Sequence, residues 1–253
     1  MGEYKKNFIS NIIFRIDFPT ILELENKLPS GFQSKIIDLF PILREPSELN
    51  INLSVSSGEN LNKNQVSVGA RTWQFYNKEK TKAVILSKNS LNLEYKNYYS
   101  NFKELTSDIK LILKSLFEEY TIEIIDRIGL RYIDEIKLDS GDPLDWKDII
   151  CDDLTSSIRF VSSKNLMRTM QEIYIKEDNY TIVFKYGIPN SLYPSKIVRK
   201  EFTLDTDCFL EGELSKEDII NLLEEFHEVV KKTFEKSIGN NLRKIMNGEI
   251  IDG

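Results

Sequence analysis

The sequence predicts an α+β fold in which two long helices pack on antiparallel β-sheets. Two observations support this prediction. Several short runs alternate apolar and polar residues and are joined by short polar turns, which is typical of an antiparallel meander. Two longer stretches repeat apolar residues at helical spacing, which predicts amphipathic helices. The chain has 253 residues, of which 41% are hydrophobic, so it can bury a sizeable core.

The first half of the chain, residues 1–121, begins with a predicted strand. Apolar side chains alternate with other residues over 12–18, which indicates a strand with one buried face. Helical patterns follow over 20–28 and 32–40, and Pro41 ends the second of them. These elements predict an opening strand followed by two short helices.

A meander and a long helix complete the first half. Four strands are predicted, at 51–55, 73–75, 84–86 and 91–95. The residues between the last three strands are few and polar, as tight antiparallel connections require. A helix is predicted over 101–120, where Asn101 and Glu104 have the spacing of a capping box.

The second half, residues 122–253, starts with another strand. A long strand pattern covers 122–138, and a weak helical pattern covers 145–160. Three further strands are predicted, at 167–175, 181–186 and 198–204. These elements repeat the order seen in the first half.

The C-terminal part of the chain is predicted to form the second long helix. Residues 211–213, Glu-Gly-Glu, are expected to interrupt the regular structure between the last strand and the helix. Ser215 is the predicted N-cap of a helix that continues to Met246. Both halves therefore have the order strand, helix, strands, long helix. We expect one continuous body, with a duplicated helix-grip or TATA-binding-protein-like unit as the hypothesis for its origin.

Composition disfavours several classes of function. The 40 acidic residues outnumber the 34 basic ones, and the formal net charge of -6 disfavours a broad nucleic-acid-binding surface. Cys151 and Cys208 lie far apart and outside any CxxC pair, so they predict neither a zinc site nor a redox motif. No secretory signal or membrane-spanning run is visible, and we expect a cytoplasmic protein without a membrane partner.

Local catalytic signatures are missing from the sequence. It contains no Walker A loop and no GxGxxG, GxSxG or HExxH pattern. No cofactor is predicted, and the sequence favours a protein without enzymatic activity. Enzymes that lack a local signature stay open as alternatives.

The densest group of candidate functional residues lies on the strand over 122–138. Arg127 and Arg131 share one strand face and flank Gly129, which leaves space above the backbone. Guanidinium groups bind carboxylates and phosphates through two parallel hydrogen bonds. With Tyr132, these residues form the predicted ligand-binding set for an anion or an acidic peptide. The alternative is that each arginine pairs with an acidic residue of a neighbouring strand or helix.

Four carboxylates form an alternative metal site. Asp126 and Glu135 lie on the same strand as the arginines, and Glu135 begins a Glu-x-Lys step that resembles part of a metal-dependent nuclease core. Asp205 and Asp207 form an Asp-x-Asp step near the end of a later strand. Such a pair can bind a divalent cation, although capping of a turn is the favoured interpretation.

His227 is the only histidine of the chain and lies within the C-terminal helix. General acid or base catalysis is one interpretation. A packed, hydrogen-bonded histidine beside the apolar face of the helix is the favoured one.

The central motif also resembles a known family. Residues 127–133, Arg-Ile-Gly-Leu-Arg-Tyr-Ile, are similar to the central signature of a sporadically distributed, uncharacterised bacterial protein family of about this length. The Asp-x-Asp step at Asp205 and Asp207 resembles that family as well. So does a C-terminal helix that contains His227 and Phe234.

The chain departs from that family at two places. Residues 8–11 lack the acidic residue expected before the first strand, and Asp134 stands where the family more often has asparagine. The patchy distribution of the family implies cargo of mobile elements, such as an anti-phage defence or toxin–antitoxin-like module.

Three functional hypotheses follow from the sequence. The first is a cytoplasmic binding or regulatory protein of a mobile-element or anti-phage defence module, which recognises a partner protein or an anionic ligand. The second is a metal-dependent nuclease or phosphoryl-transfer enzyme that uses the four carboxylates. The third is a helix-grip protein that holds a small ligand between its long helices and the sheet. The oligomeric state stays open.

Overall fold

Nine β-strands form one antiparallel sheet in the computed structural model, which describes residues 4–44, 71–161 and 163–249. Every strand pair is antiparallel, and the spatial order is β2-β3-β4-β5-β1-β6-β9-β8-β7. The strands are β1 Ile9–Asp17, β2 Ile42–Arg44, β3 Thr72–Tyr76, β4 Lys82–Ser87, β5 Ser90–Lys96, β6 Ile125–Leu138, β7 Thr169–Lys176, β8 Thr181–Ile188 and β9 Lys200–Leu214. The predicted α+β class is confirmed.

Six α-helices accompany the sheet in the described residues. They are α1 Glu23–Asn26, α2 Ser30–Ile36, α3 Phe102–Glu119, α4 Ser156–Val161, α5 Ile219–Ser237 and α6 Asn240–Met246. The two long helices, α3 and α5, pack on the sheet as predicted. The Asn101 side chain accepts a hydrogen bond of 2.9 Å from the Glu104 backbone N–H, which confirms the predicted N-cap of α3.

The sheet has one apolar face and one polar face because its strands alternate in polarity. On β1, Ile12, Phe14 and Ile16 are fully buried beneath the helices. Ile13 and Arg15 point to the opposite side and keep solvent contact. We call this second side, which carries the outward residues of β1, β6 and β9, the open face.

Two clusters of buried apolar side chains lie between the sheet and the helices. The larger one joins α2, α3 and the first half of α5 to the strands around β1 and β5. The smaller one surrounds Trp146 and joins the end of α5 and α6 to β8 and β9. Helix α5 contributes side chains to both clusters.

The predicted break at residues 211–213 is wrong. Strand β9 continues to Leu214, and its register with β6 shifts by one residue between Ile125 and Arg127. Gly212 has a φ of +141°, a backbone conformation that glycine adopts without strain. The glycine therefore forms a β-bulge in a continuing strand.

The single helix predicted from Ser215 to Met246 is also wrong. Ser215 does cap a short 3₁₀ turn that leads into α5, but the helix is interrupted at Ile238 and Gly239. The Gly239 N–H donates to the Ile149 carbonyl oxygen at 2.8 Å. A Cβ on Gly239 would lie 2.1 Å from the Asp148 carbonyl oxygen, so only glycine allows this backbone to approach.

Two of the short helices are shorter than predicted. The pattern over 20–28 forms only α1, and the pattern over 145–160 yields a 3₁₀ turn at Asp152–Thr155 followed by α4. Strand β2 was not predicted, and the strand predicted over 51–55 lies outside the described residues.

Strands from both predicted halves belong to the same sheet. Strand β1 pairs with β6 from Ile9↔Asp134 to Asp17↔Arg127, across the boundary placed at residue 121. On the two sides of this central pair, β5, β4 and β3 correspond in order to β9, β8 and β7, and β2 is an additional edge strand beyond β3. Descent from a duplicated unit stays a prediction. No helix in the described ranges is long and apolar enough to cross a membrane.

Candidate functional site

The four residues of the predicted ligand-binding set lie on β6 but not on one face. Arg127, Gly129 and Arg131 belong to the open face, at the centre of the sheet. Tyr132 has the opposite parity and is buried beneath the helices. Tyr132 therefore cannot share a site with the two arginines.

Arg131 forms a complete two-point ion pair with Asp205 of the neighbouring strand β9. Its Nε donates to Asp205 Oδ1 at 2.7 Å, and its Nη2 donates to Oδ2 at 2.6 Å. The Asp205 side chain is only 10% exposed. The guanidinium is thus held by the carboxylate that it neutralises, which is the pairing alternative considered for this residue.

Arg127 is held much more loosely than Arg131. Its guanidinium lies over the Phe209 ring at 4.5 Å and also near Gly129, where an added Cβ would be 3.4 Å from Nη1. Its ion pairs are long, with Nη2 3.7 Å from Asp207 Oδ2 and Nε 3.6 Å from Glu211 Oε1. The Arg127 guanidinium makes no hydrogen bond within the described residues. Its N–H groups, which project as a planar fork, are therefore available to bind another group.

The carboxylate beside Arg127 is unusual in its electrostatics. Burial raises the pKa of Asp207, while Arg127 and Arg131 lower it and limit the shift. Like Arg127, Asp207 forms no side-chain hydrogen bond within the described parts of the chain. The open face thus presents a cation and an anion that are both oriented but incompletely bonded.

The structure does not gather the four carboxylates of the alternative metal site. Asp126 and Glu135 are nine residues apart on β6, which corresponds to about 30 Å along an extended strand. Asp205 is paired with Arg131, and Asp207 lies beside Arg127. No group of three or more histidine, cysteine, aspartate or glutamate side chains in the described residues could hold a metal ion.

The turn predicted at Asp205 and Asp207 is wrong. Both residues lie inside β9, where Asp205 is opposite Ile133 and Asp207 is opposite Arg131. The strand is longer than its apolar pattern suggested because the outward positions carry charges that pair with β6. On the open face, the two aspartates therefore form ion pairs with the two arginines instead of capping a turn.

His227 lies on the buried side of the sheet, next to Tyr132. Its ring stacks on Phe102 with a centroid distance of 3.8 Å, and its Nδ1 is 3.2 Å from the Tyr132 hydroxyl. Burial lowers the pKa of His227 to about 4, so the ring is neutral at pH 7. The interpretation of a packed, hydrogen-bonded histidine is confirmed.

Asp134 is a second polar residue on the buried face, two positions after Tyr132. It is 3% exposed, and its Oδ1 has no hydrogen-bond partner among the described residues. Burial raises the pKa of Asp134 to about 8, and the charge of Asp205 adds to this shift. The carboxyl is consequently held mostly protonated at pH 7.

A half-buried lysine, Lys82, was missed in the sequence. Lys82 Nζ lies 2.7 Å from both Glu104 Oε1 and Asp108 Oδ2, and the Tyr95 hydroxyl donates to Asp108 at 2.6 Å. This network attaches α3 to β4 and β5. A signal for it was present, since Lys82 has the strand parity of the buried apolar residues that follow it.

Comparison of the sequence with known proteins gives no match, either to a protein-family model or to a curated protein.

Proposed function

We propose that this chain is a non-enzymatic binding protein whose open face recognises an acidic group of a partner protein through Arg127. The observation that supports this proposal is the state of the Arg127 guanidinium. It is positioned by Phe209 and two distant carboxylates, but none of its donors is in hydrogen-bond geometry within the described chain. A carboxylate supplied by a partner would accept two parallel hydrogen bonds from this fork.

The shape of the surface favours a protein over a small anion. Small-molecule sites are concave and cover most of their ligand. Three open clefts of the described residues have volumes of about 440, 270 and 380 Å³, and Arg127 lines none of these three. The Arg127 side chain is 20% exposed, so the surface of another protein can reach it.

Arg131 has a different role in this proposal. Its fork is already filled by Asp205, so an incoming anion would have to displace a carboxylate held at 2.6 and 2.7 Å. We assign Arg131 to fixing β9 against β6, which places Phe209 and Asp207 beside Arg127.

Among the described residues, no observation favours either alternative function. The carboxylates needed by a nuclease are spread along β6 or paired with arginines. The space where a helix-grip protein would hold a ligand is filled at its centre by Tyr132, His227 and Phe102.

The cellular setting is part of the proposal. We place the protein in the cytoplasm, as a component of a mobile-element or anti-phage defence module. The resemblance of residues 127–133 to a sporadically distributed bacterial family supports this placement.

Affinity capture from the native host tests the proposal with two matched variants. Arg127→Met removes the fork but keeps a long apolar side chain over Phe209. Arg44→Met is the control, because Arg44 also lies near an aromatic ring, at 5.3 Å from Tyr76, but on an edge strand. We expect a protein that the wild type and Arg44→Met capture and that Arg127→Met loses. Identical captures by all three would contradict the proposal.

A phage-challenge assay tests the cellular setting separately. Cells that express the wild type with its native neighbouring genes should form fewer plaques than cells that express Arg127→Met. Equal plaque counts over a broad phage panel would remove the defence assignment without touching the binding proposal.

A further inference from the structure

Exposed apolar side chains are concentrated around β7. Of the sixteen large hydrophobic residues exposed in the described chain, ten lie between residues 160 and 198. Four of these are on β7 itself, and the Tyr174 side chain is 69% exposed. Exposed apolar patches of this kind mark surfaces that another protein covers.

Strand β7 also lies at an edge of the sheet. It pairs with β8 on one side, and no described strand pairs with its other side. The Glu177 N–H donates to the Tyr180 carbonyl oxygen at 2.9 Å. This bond shows that the odd-numbered residues of β7 are the ones whose backbone groups bond to β8. Because bonded and non-bonded pairs alternate, the backbone groups of the even-numbered residues 170–176 point away from β8. The edge therefore offers a row of available donors and acceptors.

The sequence of this edge is complementary to itself in one antiparallel register. If Tyr174 of one copy lies opposite Tyr174 of a second copy, Glu172 lies opposite Lys176 of that copy, twice by symmetry. The same register places Ile173 opposite Ile175. Opposite charges and branched apolar side chains are favourable cross-strand pairs.

The neighbouring registers lack this match. A pairing centred on Glu172 would put two glutamates opposite each other, and one centred on Ile175 would put Glu172 opposite Asp178. A pairing centred on Ile173 would leave Glu172 opposite Tyr174, without a charge partner on the second copy. Charge complementarity thus selects the register centred on Tyr174.

We propose that the occupant of this edge is a second copy of the chain, paired β7 to β7 about a two-fold axis at Tyr174. The two nine-stranded sheets then form one continuous sheet, and the exposed residues Ile173 and Ile175 of both copies are covered. This inference is independent of the site at Arg127, which lies on the central strands.

Charge reversal tests the pairing and its register together. In Lys176→Glu two glutamates meet across the axis, and in Glu172→Lys two lysines meet. Each change replaces two attractive pairs by two repulsive ones, so each should weaken the dimer roughly 10- to 30-fold. A mixture of the two variants restores both attractive pairs, and a heterodimer of near wild-type affinity should form.

Sedimentation velocity over a range of concentrations measures these states. Lys78→Glu is the control, because Lys78 is an exposed lysine in the turn between β3 and β4. Glu172 also pairs with Lys185 of its own chain at 2.8 Å, so thermal melts must show that each variant is folded. We expect a dimeric wild type and control, two weakened variants and a restored mixture. A monomeric wild type would overturn the proposal and leave the edge to a strand of another protein. A dimer that Lys176→Glu leaves intact, or a mixture that fails to associate, would overturn it as well.

Discussion

Asp134 provides a quantitative test of the packing between the sheet and the helices. The carboxyl is buried, its Oδ1 has no hydrogen-bond partner in the described parts of the chain, and burial raises its pKa from 3.8 to about 8. Replacing it with asparagine keeps the shape of the side chain and removes the titratable group. The variant should therefore be more stable than the wild type at neutral pH.

The sign and size of the effect follow from proton linkage. The folded protein binds this proton more tightly than the unfolded chain, so the contribution of Asp134 is complete below pH 3.8 and is lost as the pH rises towards 8. Both pH 5 and pH 7 lie inside this window. At about 1.36 kcal/mol per pH unit, the stability advantage of Asp134→Asn should grow by about 3 kcal/mol from pH 5 to pH 7.

Urea unfolding of the two proteins at several pH values measures this advantage. The quantity to compare is the difference in the free energy of unfolding between variant and wild type at each pH. The shifted pKa values of His227 and Asp207 affect both proteins equally and cancel in this difference. Asp126→Asn is the matched control, since Asp126 is exposed on the same strand. A pH-independent difference for Asp134→Asn, or the same slope for Asp126→Asn, would show that Asp134 is not the buried acid described above.

Three further substitutions test the elements that position the site, and urea unfolding measures each. Arg131→Met should destabilise the fold by about 2 kcal/mol, because Asp205 loses its two-point partner at a mostly buried position. Asn101→Ala should cost about 1 kcal/mol through loss of the α3 cap. Gly187→Ala should cost about 2 kcal/mol or more, because the glycine has a φ of +139° and an added Cβ would lie 2.1 Å from the Thr169 carbonyl oxygen. Unchanged stability in any variant would contradict the contact or the backbone conformation on which its prediction rests.

Local sequence patterns predicted the regular elements because each pattern reports which side chains are buried. Alternation located strands such as β5, and helical spacing located α3 together with its cap. The same local signals failed at Gly212 and Gly239. One glycine allows a bulge inside β9, and the other allows the 148–151 segment to approach and interrupt a helix. In both cases the outcome depends on a partner segment that is distant in the sequence.

For the candidate site, the sequence predicted which residues share a strand face but not how they pair. The two-residue period of a strand placed Arg127 and Arg131 on one face, and it also separates Asp134 from them. The period could not show that Asp205 fills the fork of Arg131 while Arg127 has only distant partners. That difference depends on the register between β6 and β9, which no local pattern contains.

The affinity of the captured partner for Arg127 variants tests the central proposal most directly. Once affinity capture has identified that protein, calorimetric titration should compare the wild type, Arg127→Met and Arg44→Met. The proposal predicts that Arg127→Met raises the Kd at least about tenfold, as expected for loss of a charge-assisted two-point contact, while Arg44→Met leaves it unchanged. Equal affinities of the wild type and Arg127→Met would contradict recognition through the open face.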